Sequence, residues 1–167
     1  MKQDRHRSAV IEFPNDLEIV VTREFDAPME LVFEVLTKPE HIRKHFPPHG
    51  EEVKICEIDL RPGGSYHYVF VTEDGTEMSF RGTFMAVEPP TRTVGTWVYD
   101  GWADTEAVET VTLRETDGVT TLTWSLAFRD QAGRDHMTMF DGIESNLDNV
   151  EDVLRSLIDT GAATPGR

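Results

Sequence analysis

The sequence predicts an α+β fold in which a curved antiparallel sheet of about seven strands wraps around one long C-terminal helix. Between residues 140 and 158, apolar side chains recur in steps of three and four, which is the spacing of one helical face. The polar residues between them, Asn146 and Glu151 among others, are predicted to point to water. Between residues 51 and 128 the pattern changes to period two, as strands require. An amphipathic helix needs an apolar partner surface, and a sheet of this size provides one.

The first predicted elements are a strand and two short helices. Residues 17–25 alternate well enough for a strand. Asp26 is a good N-cap and Pro28 suits a first turn, so a helix is predicted to begin there. Pro39 begins a second helix over residues 40–45, and Pro47 and Pro48 end this helix. Residues 1–16 are predicted to form a mobile tail or an arm.

Six strands are then predicted, over residues 53–60, 66–71, 78–85, 93–99, 107–113 and 119–128. Turn signals rich in glycine, proline and aspartate separate them, at residues 61–64, 73–76 and 116–118 among others. Six consecutive strands with short connections imply an antiparallel meander. Residues 129–134 are predicted to be a polar loop into the long helix. We therefore predict a single domain over residues 17–160 and a C-terminal tail over 161–167.

Composition limits the function. The chain has 167 residues, 38% hydrophobic and 28% charged, as expected of one ordered globular domain. Its net charge of −15 disfavours nucleic acid and anionic membranes as partners. No apolar run is long enough for a membrane span, and the N-terminal apolar cluster is too short for a signal peptide. A single cysteine, Cys56, fits a reducing compartment, so we expect a cytoplasmic protein.

Several short segments carry a family resemblance. Residues 23–33 (REFDAPMELVF), 37–41 (TKPEH), 59–64 (DLRPGG), 88–92 (EPPTR) and 120–123 (TTLT) occur in this order. Together they resemble the helix-grip proteins related to the activator of Hsp90 ATPase, within the larger START and Bet v 1-like superfamily. The resemblance covers residues 17–158. Where many relatives have two tryptophans after the second helix, this chain has His45 and Phe46.

The resemblance implies a cavity between the sheet and the long helix, without a shared catalytic constellation or a cofactor. The eukaryotic co-chaperones that name the family carry an additional domain with no counterpart in this sequence, so Hsp90 activation does not follow from the resemblance. Aromatic walls with a few hydroxyl groups suit a small apolar or aromatic ligand. Any one aromatic is more simply a core residue, but the set as a whole favours a cavity. The candidate ligand-binding residues are Phe46, Tyr66, Tyr68, Phe80, Trp97, Tyr99, Trp124, Phe140 and Ile143.

Three histidines near the second helix raise the possibility of a metal site. His41, His45 and His49 recur every four residues, but Pro47 and Pro48 break the helix, so three ligands on one face are not expected and no metal site is predicted. His45 is then either a hydrogen-bonding group at the cavity mouth or, more simply, a surface histidine.

His67 lies between two tyrosines on one strand, so it faces the opposite side from them. If the tyrosines point inward, His67 faces solvent. In the reversed register it becomes the best general acid–base candidate of the sheet. We favour the first arrangement because the apolar side of a strand belongs inside.

Three functions remain open. The leading one is binding of a small hydrophobic molecule in the cavity. An enzyme of the cyclase, dehydratase or hydrolase type is less favoured, because it needs a polar pair such as His45 with Glu109, or Tyr68 with Asp104. The third is an interaction role, in which the exposed sheet face or the Trp102 loop docks a chaperone or a second copy of the chain, as a homodimer.

Overall fold

The structure is a computed structural model that describes residues 5–101, 106–138 and 142–160. Its elements follow the predicted order, with one strand and one helix in addition. In chain order they are β1 (Val10–Glu12), β2 (Glu18–Phe25), α1 (Met29–Thr37), α2 (Pro39–His45), β3 (Glu52–Ile58), β4 (Ser65–Val71), β5 (Glu77–Glu88), β6 (Arg92–Tyr99), β7 (Ala107–Thr116), β8 (Val119–Phe128), α3 (Gln131–Thr138) and α4 (Gly142–Asp159).

All the described strands belong to one antiparallel sheet, ordered β1-β2-β8-β7-β6-β5-β4-β3. Strands β3 to β8 form the predicted meander, and β2 joins it beside β8, where Ile19 pairs with Leu126. The sheet has eight strands rather than about seven, because β1 pairs with β2. This corrects the predicted tail: residues 10–12 form a strand. Register shifts in β3 and β5 mark bulges, which bend a sheet.

Helix α4 packs its apolar face on the inner face of this sheet, which confirms the helix-grip architecture. Its buried apolar residues are Leu147, Val150, Val153 and Leu154. Its described span is Gly142–Asp159, and Phe140, where the predicted helix starts, lies outside the described residues. The predicted polar loop at residues 129–134 is partly wrong, since α3 begins at Gln131.

A charged cluster lies under α4, at a place where the helical pattern predicted solvent. Arg23 is only 1% exposed and pairs through Nη1 with Asp148 Oδ1 at 3.0 Å and through Nη2 with Glu151. Arg155 Nη2 lies 2.6 Å from the other oxygen of Glu151. The prediction that Glu151 faces water is therefore wrong: it is buried because two guanidinium groups compensate its charge.

The segment before β1 extends this cluster. The Arg5 backbone N–H donates to Glu151 Oε2 at 3.2 Å, and its guanidinium pairs with Glu24 at 2.9 Å and Asp26 at 3.1 Å. Asp26 is therefore not the N-cap of α1. Pro28 holds that position, and no side chain caps the helix. None of the helices in the described part of the chain is both long and apolar enough to cross a membrane.

Candidate functional site

A cavity of about 360 Å³ lies between the inner face of the sheet and the helices α1, α2 and α4. Its walls are mostly apolar and aromatic. Eight of the nine candidate residues line it, and Phe140 lies outside the described part of the chain. The eight are Phe46, Tyr66, Tyr68, Phe80, Trp97, Tyr99, Trp124 and Ile143.

The aromatic walls are also part of the core. The ring of Phe46 lies 5.1 Å from that of Tyr68 and 5.2 Å from that of Phe80. Phe80 in turn stacks on Tyr99 at 5.2 Å. Being a core residue and lining the cavity are therefore compatible, because each of these rings packs against its neighbours on one side and faces the cavity on another.

One carboxylate lies on this apolar wall. Glu109 is at an inward position of β7, between Ala107 and Val111, and it lines the cavity. Trp124 Nε1 on the adjacent strand donates a hydrogen bond to Glu109 Oε2 at 2.7 Å. Burial raises the pKa of Glu109 to about 7, and the Trp124 hydrogen bond opposes part of that rise. The period-two pattern of β7 was the signal that places Glu109 inside.

The two tyrosines of β4 differ in their hydrogen bonds. Tyr66 Oη donates to the Thr96 carbonyl at 2.9 Å, whereas the Tyr68 hydroxyl makes no hydrogen bond to protein within the described ranges. Burial raises the pKa of both phenols, and the negative charge of Glu109 adds to the effect. Both hydroxyls therefore stay protonated at neutral pH, and that of Tyr68 is available to a molecule in the cavity.

His45 ends α2 and forms part of the cavity wall. It is 5% exposed, so the simpler of our two interpretations, a surface histidine, is wrong. Its Nε2 lies 2.9 Å from the Val35 carbonyl, which can only accept, so Nε2 carries the proton. Burial lowers its pKa to about 4, and the neutral ring accepts at Nδ1 from Asn146 at 3.3 Å.

Two asparagines of α4 hold the segment after α2 against the helix. Asn146 Nδ2 donates to the His45 carbonyl at 2.8 Å, and Asn149 Nδ2 donates to the carbonyls of Pro47 at 3.2 Å and Pro48 at 3.3 Å. The prediction that Asn146 points to water is therefore wrong. An asparagine in an amphipathic helix carries no local sign of the carbonyl that it will meet.

Other chemistry finds less support in the described part of the chain, which contains no group of three or more His, Cys, Asp and Glu side chains placed to hold a metal ion. The proposed pair of His45 and Glu109 lines one cavity, but within the described ranges no hydrogen bond joins them. Asp104 and Trp102 lie outside the described residues.

His67 does not line the cavity, as the favoured arrangement predicted. It makes a 2.9 Å contact through Nε2 with Ser79 Oγ, which donates to Asp100 Oδ2 at 2.7 Å. The tyrosines beside it in β4 face the cavity instead. The reversed register, in which His67 becomes an internal acid–base group, is therefore wrong.

Comparison with known proteins agrees with this architecture. The family model for activator of Hsp90 ATPase homolog 1-like protein matches residues 26–155. A solved structure from Rhodobacter sphaeroides has a TM-score of 0.81 at 22% identity, covering 89% of this chain and 99% of that one. One from Nitrosomonas europaea has a TM-score of 0.76 at 22% identity, covering 90% and 100% respectively. No curated protein matches the sequence. At these identities, the similar structures show the fold.

Proposed function

The chain belongs to the family of activator of Hsp90 ATPase homolog 1-like proteins, and from this premise we propose that it is a cytoplasmic binding protein for a small hydrophobic or aromatic molecule. The ligand would lie in the cavity between the sheet and α4. The buried, unpaired thiol of Cys56 is consistent with a reducing compartment.

The observation that carries this proposal is the cavity itself. Its volume of about 360 Å³ falls in the range of small-molecule pockets, and its walls combine aromatic rings with a few polar groups. Tightly packed interiors leave few voids larger than a water molecule. A space of this size inside a small domain therefore supports a role in holding a ligand.

The experiment is a thermal-shift screen of the purified protein against hydrophobic and aromatic metabolites, with native mass spectrometry for co-purified molecules. A ligand that binds the folded state at 100 times its Kd adds about 2.7 kcal/mol of stability. Tyr68→Ala and Trp124→Ala should weaken any hit while the protein stays folded.

A blocking variant provides a sharper test. Ile143 lines the cavity from α4, whereas Ser156 is exposed on the same helix. Ile143→Trp should fill the cavity and abolish the thermal shift, and Ser156→Trp should retain it. No shift across a broad library, together with an empty mass spectrum, would contradict the proposal.

An enzyme that uses the same cavity is the second candidate. A carboxyl group whose pKa is near 7 has the protonation behaviour that general acid–base catalysis at neutral pH requires. Any compound found by the screen should therefore be incubated with the wild type and with Glu109→Gln, and the products analysed. Conversion by the wild type alone would favour the enzyme over the binding protein.

A further inference from the structure

Glu109 is the feature of the cavity that a purely hydrophobic ligand leaves unexplained. A carboxylate surrounded by apolar groups is costly unless it is paired. Trp124 occupies Oε2, whereas Oε1 makes no hydrogen bond to protein within the described ranges. The cavity lining of the described residues contains no lysine or arginine. Within the described lining, no lysine or arginine therefore provides a countercharge for Glu109.

The rest of the lining has the same electrostatic preference. Glu51 is a second carboxylate on the lining, and His45 is neutral at pH 7 because its pKa is about 4. Aromatic faces such as those of Tyr68 and Trp124 attract cations through the ring quadrupole. The net charge of −15 adds a long-range attraction for cations and repels carboxylates and phosphates.

We infer that the cavity selects an aromatic or apolar molecule that carries a protonated amine, and that this amine pairs with Glu109 inside the cavity. The inference rests on the proposed binding function and adds the charge of the ligand and the residue that recognises it. Hydrophobic anions such as fatty acids are disfavoured where Glu109 is charged, since they would place like charges together in a poorly solvated space.

Pairing between the amine and Glu109 couples ligand binding to the protonation state of this carboxyl group. Because the pKa of Glu109 is about 7, much of the free protein carries this carboxyl in its neutral form at neutral pH. An ammonium group stabilises the carboxylate, so binding releases the proton. The affinity for an amine should therefore rise as the pH rises through about 7. The other titratable groups on the lining are Tyr66, Tyr68 and Tyr99 on strands, His45 on α2, and His49 and Glu51 between α2 and β3.

The test uses two probes of the same shape, 2-(1-naphthyl)ethylamine and 1-propylnaphthalene, in which an ammonium group replaces a methyl group. Calorimetry or fluorescence competition would measure both at pH 6 and pH 8. The wild type should prefer the amine by about tenfold or more at pH 8, corresponding to about 1.4 kcal/mol. Glu109→Gln should abolish both this preference and the pH dependence, which separates Glu109 from His49.

Glu57→Gln is the matched control, because it removes an exposed carboxylate of β3 that does not line the cavity, and it should retain the preference for the amine. Circular dichroism would establish that each variant is folded. Equal binding of the two probes, or a preference that survives in Glu109→Gln, would overturn the inference and leave the proposed function standing. Binding of neither probe to the wild type would also overturn the inference, and the thermal-shift screen would then decide the proposed function.

Discussion

Trp124 Nε1 lies 2.7 Å from Glu109 Oε2 and holds the carboxyl group against the wall of the cavity. The two residues are diagonal neighbours on adjacent strands, since Val111 pairs with Trp124 and Glu109 pairs with Leu126. One indole thus orients the carboxyl group and stabilises its charged form.

Trp124→Phe should raise the pKa of Glu109 above its value of about 7, because the lost hydrogen bond favoured the carboxylate. Titration of the labelled glutamate side-chain carbons by NMR would measure the change. Trp97→Phe is the control, since Trp97 lines the same cavity without bonding Glu109. An unchanged pKa in Trp124→Phe would mean that the hydrogen bond does not control the carboxyl group.

Glu109→Gln should change how stability depends on pH. Its pKa rises from 4.5 to about 7 on folding, so the folded state binds more protons in this window. The free energy of unfolding of the wild type should therefore fall by on the order of 3 kcal/mol as the pH rises from 4.5 to about 7.5. The variant should not show this loss. Urea unfolding at several pH values would measure the difference. Glu57→Gln, at an exposed position of β3, should follow the wild type.

His45→Gln should make the protein less sensitive to acid. The pKa of His45 falls from 6.5 to about 4 on folding, so stability is lost as the pH falls from 6.5 through about 4. The full contribution is on the order of 3 kcal/mol, and glutamine retains a donor for the Val35 carbonyl. Acid unfolding compared with His67→Gln, which alters a histidine outside the cavity, provides the check. Identical acid transitions in the two variants would contradict the prediction.

Arg23→Met should destabilise the fold by about 3–5 kcal/mol, because it leaves the buried carboxylate of Glu151 undercompensated. Chemical unfolding would measure the loss. Arg61→Met provides the contrast: its pair with Asp59 is exposed and should be worth at most about 1 kcal/mol. Adding Glu151→Gln to Arg23→Met should recover part of the stability. A loss no larger than that of Arg61→Met would show that the cluster contributes little.

The period of the apolar residues was enough to predict the six-strand meander, the long helix and the inward side of β4. Strand β1 was missed because all three of its residues are exposed, so it has no alternating pattern. The segment before it is held by contacts of Arg5 with Glu24 and Asp26.

The buried ion pair of Arg23 and Glu151 was not predicted because a local sequence pattern does not show contacts between distant residues. Arg23 and Glu151 are 128 positions apart in the chain, and a helical pattern places any glutamate on the side of the solvent. Only the three-dimensional structure provides the guanidinium that makes burial of Glu151 possible. The contacts of Asn146 and Asn149 could not be predicted from the helical pattern either, since their partners are carbonyls of the segment after α2, far away in the chain.

The pairing of β2 with β8 also sets the order of events during translation. Ile19 cannot find Leu126 until most of the chain has been synthesised, and Arg23 must wait longer for α4. At about 5–20 residues per second, β2 remains without its partner strand β8 for roughly 5–20 seconds. Its buried residues Ile19 and Val21 lack their core partners during that interval. The core can therefore form only after most of the chain has been synthesised.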